Sequence, residues 1–227
     1  LGRAGLRTAG AGVDAEQASR PAELATGLGR VLVWSVASES SGTPASWAAQ
    51  PDRAGVCVVR DLSTRSAAAL AARVRRDKGP GDLAVVSVHW GSNWGYDVPR
   101  VLVDFAHRLV DDGVDVVHGH SSHHPRPIEV YRGRLIVYGC GDLINDYEGI
   151  GGHARYRDDL RLLYLVLVDA STGELQSLQM VPMRARRLRL ERASSADSDW
   201  MCRQLDRVSR GCRVLPAADR GLGLSMG

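Results

Sequence analysis

Leu83-Ala-Val-Val-Ser-Val-His89-Trp90-Gly91 and Val114-Asp-Val-Val-His118-Gly119-His120-Ser-Ser-His123-His124-Pro125 are two apolar, β-branched runs that each end in histidine. Six of the seven histidines of the chain lie between His89 and His124. Between the runs, Leu102, Phe105, Ala106, Leu109 and Val110 repeat at helical spacing over 100–112, and Gly113 ends the helix. The order is strand, helix, strand. If the two strands are parallel neighbours, a right-handed crossover brings both C-terminal ends to one edge of a sheet. His89 and His120 then emerge about one strand spacing apart, ~4.8 Å, at the edge where open α/β sheets gather ligands. A strand-end imidazole is costly to bury without a partner, so several converging on one edge point to a metal or a phosphate.

The rest of the chain fits around this unit. Residues 1–29 read as a loop, a short helix after Asp14 and a linker; Arg30-Val-Leu-Val-Trp-Ser-Val-Ala37 reads as a buried strand. Residues 38–55 are polar and form a surface loop. An alanine-rich helix over 64–77 is capped by Ser63 or Thr64 and stopped by Gly79-Pro80. Ile128-Glu-Val-Tyr131 and Arg134-Leu-Ile-Val-Tyr138 flank Arg132-Gly133, a two-residue hairpin turn. Strands follow over 160–169 and 175–183, then a basic segment with a helix over 197–210 capped by Asp197 or Ser198, and a frayed, glycine-containing tail.

The 44% hydrophobic and 24% charged content is that of an ordinary globular protein. No run reaches the ~18 apolar residues of a membrane-spanning helix. Net charge is only +3, and Lys78 is the one lysine among 29 basic residues. The arginines thus reflect base composition more than selection for phosphate, and nucleic acid is disfavoured as a partner. Nine arginines between Arg184 and Arg213 nonetheless leave a polyanion-binding surface as one reading. The four cysteines show no CxxC pair; a Cys202–Cys212 disulfide and a reducing compartment fit equally.

His120-Ser-Ser-His123 adds a second ring within one tight turn, and strand ends followed by such loops supply ligands to Zn, Mn or Fe. His89, His120 and His123 are therefore the candidate ligands. His118 shares the parity of His120 and stands behind it, while the Pro after His124 makes that residue extended. His107 reads as a helix-surface or packing residue and His153 as solvated. After the hairpin, Gly139 and Gly141 permit close backbone approach to an acidic loop of Asp142, Asn145, Asp146, Tyr147 and Glu148, in which Asp142 would orient a histidine or bind substrate. Trp94 and Tyr96 form a candidate stacking platform, with Trp90 in the core. Arg155 and Arg157 are candidate anion anchors, Arg157 and Asn145 being assigned to substrate.

These motifs resemble the CapA family, bacterial capsule and poly-γ-glutamate synthesis proteins of the metallophosphoesterase superfamily. The matching elements are Val88-His89-Trp90-Gly91, Asp115-Val-Val-His118-Gly119-His120-Ser-Ser-His123, Pro127-Ile128-Glu129 and Tyr138-Gly-Cys-Gly-Asp142. The resemblance implies an α/β class with a metallophosphoesterase-like α/β/β/α sandwich, of which this is the C-terminal portion. It divides the chain into a domain over 1–183, N-terminally incomplete, and an Arg-rich extension over 184–227. It also implies one or two divalent ions (Mn, Zn or Fe) on His89, His120 and His123, with His89, His120 and Asp142 catalytic. The earlier Asp, Gly-Asp and Asn-His ligands of the superfamily would precede Leu1. The implied function is a metal-dependent hydrolase acting on an anionic small molecule or polymer. The alternatives are a non-catalytic scaffold of a polymer-synthesis complex and a polyanion-binding module. Localisation is cytoplasmic or at the cell envelope.

Overall fold

The computed structural model describes residues 1–145 and 152–226. The chain forms two compact units: Leu1–Gly91 with Val98–Gly119 and Ala170–Gly173, and Ser92–Asp97 with His120–Asp169 and Glu174–Gly227. The mixed α/β class expected from the sequence is what forms, with several sheets and few helices.

In the first unit, β1 (Ala11–Gly12) pairs with β4 (Gly55–Val56), and α1 (Ala15–Ser19) starts where Asp14 Oδ1 accepts the Gln17 amide at 2.7 Å. β2 (Ala22–Ala25), β3 (Arg30–Ser38), β6 (Leu83–His89) and β7 (Val116–His120) lie side by side in that order, with β5 (Val58–Val59) beside β3. β3 and β6 are parallel, Val31 opposite Leu83 through Ala37 opposite His89. Both bury alternate residues, Leu32, Trp34 and Val36 on one and Ala84, Val86 and Val88 on the other. Their intervening side chains are half-buried, so the runs read as continuous apolar strands.

α2 (Thr64–Asp77) has the expected bounds, its first turn closed by Ser63 Oγ on the Ser66 amide. α3 (Arg100–Asp111) buries all five residues picked out by periodicity, and Val103 as well. Phe105 meets the buried Trp90 edge-on at 6.0 Å, which places Trp90 in the core. β2 was not anticipated: Ala-Glu-Leu-Ala has little strand propensity, and its antiparallel pairing with β3 makes it a strand.

Two buried carboxylates anchor the loop between α2 and β6. Asp115 Oδ2 accepts the Ala84 amide at 2.7 Å and meets Lys78 Nζ at 2.6 Å. Asp82 receives Arg30 Nη2 at 2.5 Å and the backbone amides of Arg30 and Gly79. These donors, the Arg30 side chain foremost, hold the Asp82 carboxyl down at about 2. A depressed carboxylate adds stability that is present above its unfolded value near 4 and lost as pH falls through about 4 towards 2. Denaturant midpoints measured across that window should therefore fall less steeply for Asp82→Asn than for the wild type. Equal slopes would show that the pair carries no acid sensitivity.

In the second unit, β8 (Ile128–Tyr131) and β9 (Arg134–Val137) form the expected hairpin, with Arg132 and Gly133 both at positive φ (50° and 73°). That left-handed pair matches the twist of the strands it joins. β10 (Leu160–Val168), β11 (Leu175–Arg186), β14 (Leu222–Ser225) and β13 (Arg213–Pro216) make an antiparallel sheet in that order, with β12 (Arg189–Arg192) also on β11. α4 (Ser195–Val208) packs chiefly on β13 and also on β11, with Met201 and Leu205 buried.

Its cap is Ser194, whose Oγ accepts the Asp197 amide at 3.2 Å, rather than Asp197 or Ser198. The tail expected to fray instead folds as the β13–β14 hairpin, with Leu222 buried. The basic segment from Arg184 onwards is thus built into this sheet. β10 is an edge strand: one side pairs with β11, and among the described residues nothing pairs with the other. Its Leu163, Leu165 and Leu167 share a face and are 40%, 48% and 60% exposed. All four cysteines are free thiols, so no disulfide joins Cys202 to Cys212. Among the described residues no helix is long and apolar enough to cross a membrane.

Candidate functional site

His89 ends β6 in the first unit, where its carbonyl accepts Ser38 Oγ at 3.4 Å. His118 also lies there, its Nδ1 3.1 Å from Ser87 Oγ, and burial pushes its pKa below the ordinary value. Its parity with His120 suggested a place behind the ligands; the contact seen is with Ser87 on the neighbouring strand. His107, on α3, is half-buried.

The second unit gathers most of the other candidates. His120 is the last residue of β7, and two residues on Ser122 Oγ donates to the His124 carbonyl at 2.8 Å, tightening the turn. His123 Nδ1 donates to Asp142 Oδ2 at 3.0 Å. The same oxygen takes Asn145 Nδ2 at 2.9 Å and faces the buried Arg161 guanidinium at 3.9 Å. Asp142 therefore hydrogen-bonds a histidine, the contact that an orienting role would need. A carboxylate on Nδ1 fixes the ring tautomer and makes Nε2 the coordinating or proton-transferring atom.

Two glycines bring this loop in, as their positions suggested. A Cβ on Gly139 would lie 2.3 Å from Ser122 Oγ, and one on Gly141 2.9 Å from Pro125 N, with Gly141 at φ 73°. Larger residues would push Asp142 away from His123. Asp146, Tyr147 and Glu148 lie outside the described residues.

Behind this pair stands a ring cluster that the sequence only half announced. Trp94 stacks on His153 at 4.0 Å and 6°, so His153 is a stacking partner rather than a solvated residue. Trp94 also tilts over His123 at 5.4 Å. His124, fully buried, stacks on Tyr156 at 4.6 Å and meets Tyr96 edge-on at 4.7 Å. Its Nδ1 donates to the Pro125 carbonyl and its Nε2 accepts the Gly95 amide, both near 3.0 Å (3.0 and 3.1 Å). Burial pushes His124 down to about 4 and Tyr96 up to about 12, so both rings are neutral at physiological pH. Tyr156 was the missed member; an aromatic at 156 beside two arginines carries no sequence signal of a stack.

Arg157 joins Asp159 at 2.8 Å and Asp197 at 2.7 Å and lies over Trp200, which matches its charge within the fold. Arg155 covers the Tyr156 ring at 4.6 Å.

The donor chemistry of His123 and Asp142 fits one metal ligand with its supporting carboxylate. A full ligand set is another matter: among the described residues no three His, Cys, Asp or Glu side chains are arranged to hold an ion.

Comparison with known proteins places the chain. A family model described as bacterial capsule synthesis protein PGA_cap matches residues 1–147. A probable polyglutamine synthesis accessory protein of Mycobacterium tuberculosis (strain H37Rv) is 55% identical over 223 residues, 96% of this chain and 59% of that protein. The protein of the same description in strain CDC 1551 / Oshkosh matches to the same extent. The PGA biosynthesis protein CapA of Bacillus subtilis (strain 168) is 34% identical over 87 residues, 38% of this chain and 22% of its own length. The chain thus spans 59% of the mycobacterial relatives. With well over half of its residues matched, the chain belongs to the bacterial capsule synthesis protein family, the CapA family that its histidine motifs resemble.

Proposed function

We propose that this chain serves capsule or polyglutamate synthesis as an accessory protein, and that its site is of the metal-dependent hydrolase type. The observation that carries the site is the His123–Asp142 pair. A histidine that binds a metal donates its other nitrogen to a carboxylate, a backbone carbonyl or water, and here a carboxylate fills that place and is itself held by Asn145. The names of the relatives support the polymer-synthesis role. His89, His120 and His123 are the proposed ligands for Mn, Zn or Fe, and the substrate an anionic ester or amide. A bound ion would polarise the scissile group and supply a hydroxide near neutral pH. The chain's own residues would orient His123, through Asp142, and keep water from its ring face, through Trp94.

A second reading, a non-catalytic scaffold that retains the histidines, is favoured by the lack of a three-ligand group among the described residues. Metal analysis separates the two. In a protein of the relatives' full length, the hydrolase reading expects about one or two bound ions per chain and their loss in His120→Ala and His123→Ala. If wild type and both variants hold equally little metal, the scaffold reading stands instead.

A further inference from the structure

β3 and β5 run parallel, Ala37 opposite Val58 and Ser38 opposite Val59. The next residues are Glu39 and Arg60, so a carboxylate and a guanidinium leave neighbouring strand ends at the same level. Opposite charges so placed ordinarily pair. Among the described residues neither side chain joins an ion pair, and both instead line a cavity of about 480 Å³. Its other walls are Ala45, Ala48, Ala49, Gln50 and Val58. That volume suits a small ligand.

The wall between β3 and β4 is tied down along its length. Short 3-10 turns form at Glu39–Ser41 and Ala45–Trp47. Ser41 Oγ donates to the Ser38 carbonyl at 2.7 Å, and Arg53 Nη2 to the carbonyls of Ser46 and Ala48 at 3.1 and 3.3 Å. A Cβ on Gly55 would lie 2.4 Å from the Trp47 carbonyl oxygen, so only glycine lets this wall close on β4. A connection this long in a compact unit usually carries a function. Its start is bonded to the end of β6: Ser38 Oγ donates to the His89 carbonyl at 3.4 Å, and Ser40 Oγ accepts the Gly91 amide at 3.0 Å. The cavity therefore lies at the carboxyl ends of parallel strands, where open α/β sheets take ligands.

The lining holds one cation, one carboxylate, one neutral amide and four small aliphatic side chains. A phosphate or a polyanion would meet Glu39 as well as Arg60. A divalent ion would find a single carboxylate, and a nucleobase no lining ring to stack on. An acyl chain would leave both charges unmatched. A free amino acid would match the charges but leave most of the volume empty and Gln50 without a partner. We propose that this cavity binds a short zwitterionic peptide of two or three small residues. Its ammonium lies on Glu39, its carboxylate on Arg60, a peptide group on the Gln50 amide, and its methyl groups against Ala45, Ala48, Ala49 and Val58. Neither the metal nor the polymer-synthesis role enters this assignment.

Calorimetric titration of the chain with dialanine tests it, with N-acetyl-dialanine, dialanine amide and diglutamate as the comparison probes. Dialanine should bind saturably at about 1 mM or tighter, ordinary for a ligand of its size, and more weakly as salt rises. Glu39 and Arg60 are exposed, so each charge is worth about fivefold in affinity. Glu39→Gln and Arg60→Gln should each lose that much, as should the wild type towards either blocked peptide. The losses should also be matched. Glu39→Gln should cease to distinguish dialanine from its acetylated form while still rejecting the amide, and Arg60→Gln should do the reverse. Ala45→Phe, on an exposed turn outside the core, should fill the cavity and abolish binding at an unchanged unfolding midpoint. Absence of saturable binding, equal affinity for the blocked peptides, or wild-type affinity in these variants overturns the proposal, as does tighter binding of diglutamate.

Discussion

On the proposed metal-site reading, Asp142→Asn should reduce metal affinity or hydrolytic turnover in the full-length protein by about 10–100-fold, with His123→Ala more severe and Asn145→Ala milder. The order follows from the bonds at one oxygen. Asp142 Oδ2 accepts from His123 Nδ1 and Asn145 Nδ2 and faces Arg161. An amide in its place either turns its NH2 towards Nδ1, which reverses the tautomer, or loses the charge that steadies the ring. Asp142→Asn is a cleaner probe than Asp142→Ala, which would strand Arg161, only 3% exposed, beside an empty space. Metal stoichiometry and phosphodiester or amide hydrolysis, assayed with the unfolding midpoint as a control, read the effect. A folded Asp142→Asn protein with metal content and turnover within a factor of two of wild type would remove Asp142 from the site.

The second large effect concerns the one lysine. Lys78→Met should destabilise the chain by ~3 kcal/mol, and Lys78→Met with Asp115→Asn should recover a substantial part of that loss. Lys78 Nζ contacts Asp115 Oδ2 at 2.6 Å and donates to the Gly113 carbonyl at 3.2 Å, between the end of α3 and the start of β7. Asp115 is 3% exposed and also accepts the Ala84 amide, so removing its cation leaves a buried carboxylate undercompensated. A compact ammonium fits beside two acceptors where a planar guanidinium would need more room. That explains a lysine here in a chain otherwise served by arginine. Urea unfolding of the two single variants and the double variant measures the coupling; additive losses would show that the pair is not a unit.

Much of this architecture is legible in the residues, and the illegible parts share a cause. β3, β6, α2, α3 and the β8–β9 hairpin carry their own local signals: β-branched runs, a 3.6-residue period, and Arg132-Gly133 at the turn. β2 and β14 do not, because Ala-Glu-Leu-Ala and Leu-Gly-Leu-Ser are strands only through the neighbours they pair with. Ser194 was passed over for Asp197 because both fit a cap by composition, and only the chain direction at 194 decides. At the site, Gly139 and Gly141 announced a close approach to Asp142, yet its partner lies 19 positions away at His123. The stack of Trp94 on His153 crosses a longer gap still, with no spacing rule to betray it.

The side of β10 on which no strand pairs among the described residues has a consequence for how the chain behaves in solution. From Leu162 to Val168 that strand carries no charge and no proline, the two devices by which proteins keep sheets from growing. Encounter between two such edges is second order in protein, whereas folding is not. Dilution therefore favours the single molecule and crowding the joined one.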